Sequence, residues 1–291
     1  MSGPSGEPVV QVARGGRDED HPAEAEAPTA GEALEVLRSS ILEPVGRLRE
    51  ASNVTLLADL HEADGRPTGQ RAVYKPIRGE RPLADFPTGT LGAREVAAYI
   101  ISEGGGWGLV PPTVLRDGPL GPGSAQLWME LDAESADLVD VVQPEEAAEA
   151  RWRAVVDVVD DEGRPLVVVH ADDPRLRSLA VLDAVIDNAD RKAAHLGLAG
   201  ERLWGFDHGL SFNVEPKLRT VLWGWSGEEL GAQEVGRLER VRELVNADGE
   251  LTELLSGAEL DVLGERVEDL LREGRLPIPP EDRYPLPWPL W

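Results

Sequence analysis

The chain has no cysteine. Disulfides, thiolate nucleophiles and every cysteine-containing zinc or iron–sulfur site are thereby excluded. Basic residues are scarce: Lys+Arg number 29 against 54 Asp+Glu in 291 residues, a formal net charge of −25. Such a surface repels nucleic-acid phosphates and anionic bilayers, and no basic run offsets it. Neither nucleic-acid binding nor stable membrane association is expected. The sequence also lacks an apolar run near the ~18 residues of a membrane span, and its N-terminus lacks the basic flank and apolar core of a signal peptide. A cytoplasmic location follows as an expectation. Missing too are a G-x-x-x-x-G-K-[ST] loop, a G-x-G-x-x-G turn after a strand, an H-E-x-x-H helix and a G-x-S-x-G elbow.

With 41% hydrophobic and 29% charged residues, most of the chain can bury a core. Its length suits one two-lobed domain or about two 150-residue units. Lysine occurs only as Lys75, Lys192 and Lys217, so each one bears on function, because an ammonium does jobs a guanidinium fork does poorly.

Residues 1–30 hold no Leu, Ile, Phe, Trp or Tyr, and are expected to form a disordered leader. Leu34, Leu37, Ile41 and Leu42 fall at helical spacing. Residues 53–60 and 70–76 read as strands flanking the turn-rich HEADGRPTG, a hairpin with a long loop. Residues 91–103 read as a helix with Glu95 beside its apolar stripe. Residues 109–115 and 124–131 read as two further strands. A helix is expected from Glu145 to about Asp160. Asp173-Pro174 supplies an N-cap and N1 pair for a helix carrying Leu176, Leu179, Leu182 and Ile186 on one side. A short strand at 203–206 and helices at 228–246 and 257–273 complete the reading. A β-rich first half followed by a mainly helical second half argues for α+β in two lobes, residues 31–131 and 132–291, and against a doubly wound sheet.

Four polar residues stand in a suggestive order: Lys75 on a strand, Glu95 on the next helix, Asp190 after an apolar helix, and Asp207 after a short strand. Phosphoryl transfer uses such parts: a Lys on the α/β-phosphates, a helix Glu that orients it, an Asp at the attacking hydroxyl and an Asp on the metal. Taken singly, each has an ordinary reading as a solvated lysine, a surface carboxylate, a loop cap or a turn former.

Asn188-Ala189-Asp190-Arg191, followed by Phe206-Asp207-His208-Gly209-Leu210-Ser211-Phe212, resembles the catalytic and metal-binding loops of phosphatidylinositol 3-/4-kinase-like proteins. Their closest echo is with type II phosphatidylinositol 4-kinases and with compact actinobacterial proteins of that kind. The resemblance implies a protein-kinase-like or lipid-kinase-like fold and an ATP-dependent phosphotransferase using Mg²⁺ or Mn²⁺. Asp190 then resembles the catalytic aspartate and Asp207 the metal-binding one, while Lys75 resembles the ATP-binding lysine with Glu95 as its partner. Met129, Glu130 and Leu131 fall where an adenine-contacting hinge belongs. His195 stands where the family has a metal-binding Asn, and Lys192 where lipid 3-kinases have a His. An imidazole suits Mn²⁺ better than Mg²⁺, and Lys192 is long enough to reach a γ-phosphate. No basic lipid-headgroup segment follows Asp207. The partners implied are ATP and an unidentified acceptor. A nucleotide-binding pseudokinase or scaffold, and a nucleotidyl (AMP) transferase on the same fold, are the alternatives.

Overall fold

The computed structural model describes Val9–Val10, residues 29–48 and 53–247, and residues 249–291. Most of the leader expected over 1–30 lies outside the described residues. The chain divides into two compact units, one of Met1–Val96 with Pro111–Glu130, the other of Ala97–Val110 with Leu131–Trp291.

The first unit is built on a six-stranded sheet: β1 (Val9–Val10), β2 (Ile41–Leu48), β3 (Leu56–His61), β4 (Pro67–Pro76), β5 (Thr113–Gly118) and β6 (Gly121–Leu127). Their order is β1-β2-β3-β4-β6-β5, antiparallel except for β1 beside β2. Helix α1 (Ala30–Ser39) opens on a capping box between Thr29 and Glu32. Its Leu37 packs with Leu42, Leu60, Ala72, Tyr74 and Val114 on one face of the sheet. The helical spacing seen at Leu34 and Leu37 does not continue to Ile41 and Leu42. The helix ends at Ser39, and β2 follows with Leu42 buried and Ile41 half exposed. The β3–β4 hairpin and helix α2 (Leu91–Gly104) form as the sequence predicts. Period-2 alternation on β4 sends Ala72 and Tyr74 into the core and Lys75 to the other side.

The second unit holds a three-stranded antiparallel sheet, β7 (Val139–Val142), β8 (Trp152–Val159) and β9 (Pro165–Ala171), in the order β7-β9-β8. This corrects the helix expected over 145–160. Only one turn, α3 (Pro144–Ala147), is helical. The valine-rich run Val156-Asp157-Val158-Val159 pairs across the turn at 160–163 with residues 165–168, where branched side chains pack well on a pleated surface. Helix α4 (Pro174–Ile186) is capped by the Asp173 carboxylate, which accepts the Arg175 N–H at 2.7 Å. Leu176, Leu179, Leu182 and Ile186 are all fully buried. The hairpin β10 (Leu196–Ala199) and β11 (Arg202–Gly205) follows, then α5 (Ala232–Val245), α6 (Leu251–Leu254) and α7 (Gly257–Glu273). Among the described residues no helix is long and apolar enough to cross a membrane.

Candidate active site

In the first unit, β4 and α2 bring Lys75 and Glu95 together: Lys75 Nζ lies 2.5 Å from Glu95 Oε1. The Glu95 side chain is almost wholly buried, and the Lys75 side chain keeps a quarter of its surface. Burying a carboxylate costs several kcal/mol unless it is paired, so this ion pair is an arrangement the fold must support. The Glu80 carboxylate accepts the Gly92 N–H at 3.1 Å in the first turn of α2. Trp128 Nε1 donates to Glu130 Oε1 at 2.8 Å, and Arg71 pairs with the same carboxylate. Leu131, in the second unit, lies against Gly197 of β10, where a Cβ would come within 2.5 Å of its methyl carbon. Asp132 continues that attachment, its N–H donating to Leu198 O at 2.7 Å.

In the second unit, α4 ends at Asp187 in the left-handed conformation (φ 52°), which turns the chain sharply into the Asn188–Lys192 loop. Asn188 Oδ1 accepts the Asp190 N–H at 3.0 Å. The loop is stitched to residues 210–221 by backbone bonds from Ala189 to Leu210 O, Arg191 to Arg219 O and Val221 to Arg191 O. Lys192 Nζ sits 3.1 Å from Asp190 Oδ2. His195 Nε2 sits 3.4 Å from Asp207 Oδ2. Asp207 is also left-handed (φ 56°) and its side chain is half exposed.

Burial, opposed by the Lys192 ammonium and helped by the charge of Asp207, leaves the Asp190 carboxyl raised to about 6. Such a group is a carboxylate at neutral pH but a better proton acceptor than an exposed aspartate. The structure therefore brings Asp190, Lys192, His195 and Asp207 into two linked pairs in one unit, and Lys75 with Glu95 into a pair in the other.

Sequence reasoning passed over the residues that hold these loops. Arg191 is fully buried and uses all five of its N–H groups. Two go to Asp183 at 2.9 and 2.8 Å, and two to the carbonyls of Phe206 and His195 at 2.8 and 3.2 Å. The fifth meets His208 Nε2 at 2.7 Å. Because a guanidinium only donates, His208 Nε2 must accept, which assigns the neutral tautomer with its proton on Nδ1. Asp183, buried in α4, also accepts from Asn188 Nδ2 at 3.0 Å. From α7, Arg266 donates to Val185 O at 2.9 Å and lies 3.9 Å from Asp187. The signal for Arg191 and His208 lay in the quoted motif itself. For Arg266, no local signal exists.

As a metal site, His195 and Asp207 supply one imidazole and one carboxylate. No group of three or more candidate ligands occurs among the described residues. Two protein ligands fit a divalent ion whose remaining positions are filled by phosphate oxygens and water, the common mode for Mg²⁺ in nucleotide enzymes.

No protein-family model matches the chain. The chain is 43% identical over 269 residues to Protein Rv2133c of Mycobacterium tuberculosis, with 87% of this chain and 94% of that protein covered. The chain belongs to the Rv2133c family. Among solved structures, the Golgi casein kinase with Mn/ADP bound is similar at a TM-score of 0.51 and 12% identity, over 84% of this chain and 75% of that one. Hydra Fam20 with sugar follows at a TM-score of 0.46 and 14% identity, over 84% and 88%. The first of these likenesses gives this Rv2133c-family chain a kinase-like fold, in keeping with the α+β class expected from sequence. The first structure is a casein kinase, so the likeness of the 188–212 block to type II phosphatidylinositol 4-kinases gains no support from it.

Proposed function

We propose that the protein is an ATP-dependent phosphotransferase to an alcohol group. The observation that carries this reading is the buried Lys75–Glu95 ion pair between a sheet strand and the following helix, the pairing kinases use to hold nucleotide phosphates. Lys75 binds the α/β-phosphates and Glu95 fixes its ammonium. Asp190 orients the acceptor hydroxyl and takes its proton as the new O–P bond forms and the bond to the ADP oxygen breaks. Lys192, next to Asp190, offers its charge to the transferring phosphoryl group. His195 and Asp207 hold the divalent ion, which when bound neutralises the phosphate oxygens. The resemblance of the Golgi casein kinase, whose structure contains Mn/ADP, supports this nucleotide and metal reading. The acceptor's class, lipid, protein or small molecule, is left open, because the same core residues serve each.

The test is transfer from ATP labelled at either the γ or the α position, with Mn²⁺ and a panel of acceptors, for the wild type and Lys75→Met. Label moving from the γ position only, and at least ~10²-fold less with Lys75→Met, is the expected result. Label moving from the α position identifies nucleotidyl transfer instead. A melting shift with ATP and metal but no transfer marks a nucleotide-binding pseudokinase.

A further inference from the structure

We infer that the second unit carries a separate oxyanion pocket for a small phosphate monoester with an apolar body. A hollow of about 390 Å³ is lined by Trp107, Leu109, Leu203, Arg175, Arg202 and Arg237. That volume falls in the range of small-molecule sites, and its wall combines apolar surface with a few convergent polar groups. Glu201 is the acid on its wall.

The pocket lies away from the loops described above. Pro174 and Ser178 reach it from the first turns of α4, whereas the Asn188–Lys192 loop follows the far end of that helix, about 12 Å from Ser178 and about 18 Å from Pro174 at 1.5 Å per residue. Likewise, Glu201 and Leu203 belong to the turn end of the β10–β11 hairpin, while His195 and Phe206 stand at its other end.

Its charge is the second observation. Arg175 is neutralised locally by Asp173, at 2.6 Å. Arg202 and Arg237 are not. Arg202 donates to Gly108 O at 2.7 and 3.3 Å and lies 3.9 Å over the Trp204 ring. Arg237 donates to the Ser178 hydroxyl and lies 5.7 Å over the Trp107 ring. Neither has a carboxylate within ion-pair distance among the described residues, and nor does Arg240 one turn along α5, which holds Gly105 O at 2.7 and 3.0 Å. Burial, and then the charge of Arg240, hold the Arg237 guanidinium below its ordinary range. In a chain with 54 acids to 29 basic residues, Arg202 and Arg237 reach one hollow with no direct carboxylate partner, and Glu234 pulls on Arg237 only at longer range. A dianion in the hollow pairs with them, because guanidinium donors suit phosphate oxygens.

The loop is built to keep the aromatic wall in place. Arg240 grips Gly105 O and Arg202 grips Gly108 O, one on either side of Trp107. Gly106 and Gly108 take φ of 78° and 60°, which a side chain would resist. Trp107 is thereby held almost wholly buried, at 7% exposure, with only a small part of its apolar surface on the wall of the hollow.

Calorimetric titration of the full chain at constant ionic strength tests this. The probes are phenyl phosphate, phenol, benzoate and inorganic phosphate, and the proteins are wild type, Arg237→Gln, Arg202→Gln and Asp207→Ala. Phenyl phosphate should bind at millimolar concentration or tighter, above phenol and benzoate. Arg237→Gln should weaken it by about 10-fold or more, as for a lost charged hydrogen bond. Arg202→Gln, at an exposed position, gives the same reading should Arg237→Gln fail to fold. Asp207→Ala should leave it unchanged, which separates this pocket from the transfer site. No binding, equal binding by phenol or benzoate, unchanged binding by both arginine variants, or loss with Asp207→Ala alone would each overturn the inference.

Discussion

Arg191 and Asp183 form a bidentate ion pair with both side chains at 0% exposure, and that pair ties helix α4 to the loops on either side of the β10–β11 hairpin. The Arg191 side chain alone satisfies five acceptors, from Asp183, Phe206, His195 and His208.

Breaking it leaves a buried charge uncompensated. Arg191→Lys keeps the charge but cannot make five fixed bonds, and Asp183→Asn removes the counter-charge. Asp183→Asn, which strands the buried guanidinium, should cost about 3–5 kcal/mol in unfolding free energy by urea titration, and Arg191→Lys, which keeps the charge but loses hydrogen bonds, about 1–3 kcal/mol. A loss under 1 kcal/mol for either would show that the pair is dispensable.

Asp190 sets activity against stability. Its folded-state carboxyl lies above its unfolded value, at about 6, so its favourable contribution belongs to the protonated form and is lost as pH rises through 6. At neutral pH the ionised side chain is a net cost. Asp190→Asn should therefore reduce turnover by ~10²-fold or more while raising stability by roughly 1–2 kcal/mol after solvent screening. Wild-type activity must also fall as pH drops below about 6. A less stable Asn variant with full turnover contradicts both halves.

His170 makes the fold acid-sensitive. Its Nε2 accepts the Gly224 N–H at 3.1 Å, its Nδ1 donates to Ala171 O at 2.9 Å, and its ring packs 4.2 Å from Trp225. Burial holds the imidazole down at about 4. As pH falls below 6.5 the unfolded chain takes up a proton that the folded chain refuses, so stability is lost between about 6.5 and 4 and levels off below. The sum is on the order of 2–3 kcal/mol. In urea midpoints compared at pH 7.5, 6 and 5, the difference between wild type and His170→Gln should narrow on acidification.

The ligand pair predicts metal choice. With His195 and Asp207 as donors, turnover should be higher with Mn²⁺ than with Mg²⁺. His195→Asn, an oxygen donor, should move the Mg²⁺/Mn²⁺ activity ratio toward Mg²⁺ by about 10-fold or more. An unchanged ratio would remove His195 from the metal site.

Much of this was legible before any coordinates, and the exceptions have physical causes. The β3–β4 hairpin, α2 with an inward Glu95, and α4 with its Asp173-Pro174 start all form where local chemistry places them. Strand β2 escaped because Ile41 and Leu42 fit the helical period as well as the strand period, and the break between them and α1 is set by pairing with β3. Strand β8 escaped because Glu145–Ala150 carries a strong helical preference into a segment whose fate is decided by β9 across the turn. Around the site, exposed-looking acids and lysines drew notice. Asp183 lies inside an apolar helix and Arg191 at the flank of a motif, and nothing local shows that either charge finds its partner inside the protein.

Among the described residues, three other than glycine take left-handed backbone: Asp187, Asp207 and Phe212. All three bracket the loops of the candidate site. Glycine would relieve each bend, but it would take away the acceptor of the Lys217 N–H at 187, the carboxylate facing His195 at 207, and a fully packed ring at 212. Directed evolution that selects only for heat resistance would be drawn toward relaxing the backbone at 207, where little packing is lost, and would do so at the expense of whatever that carboxylate holds.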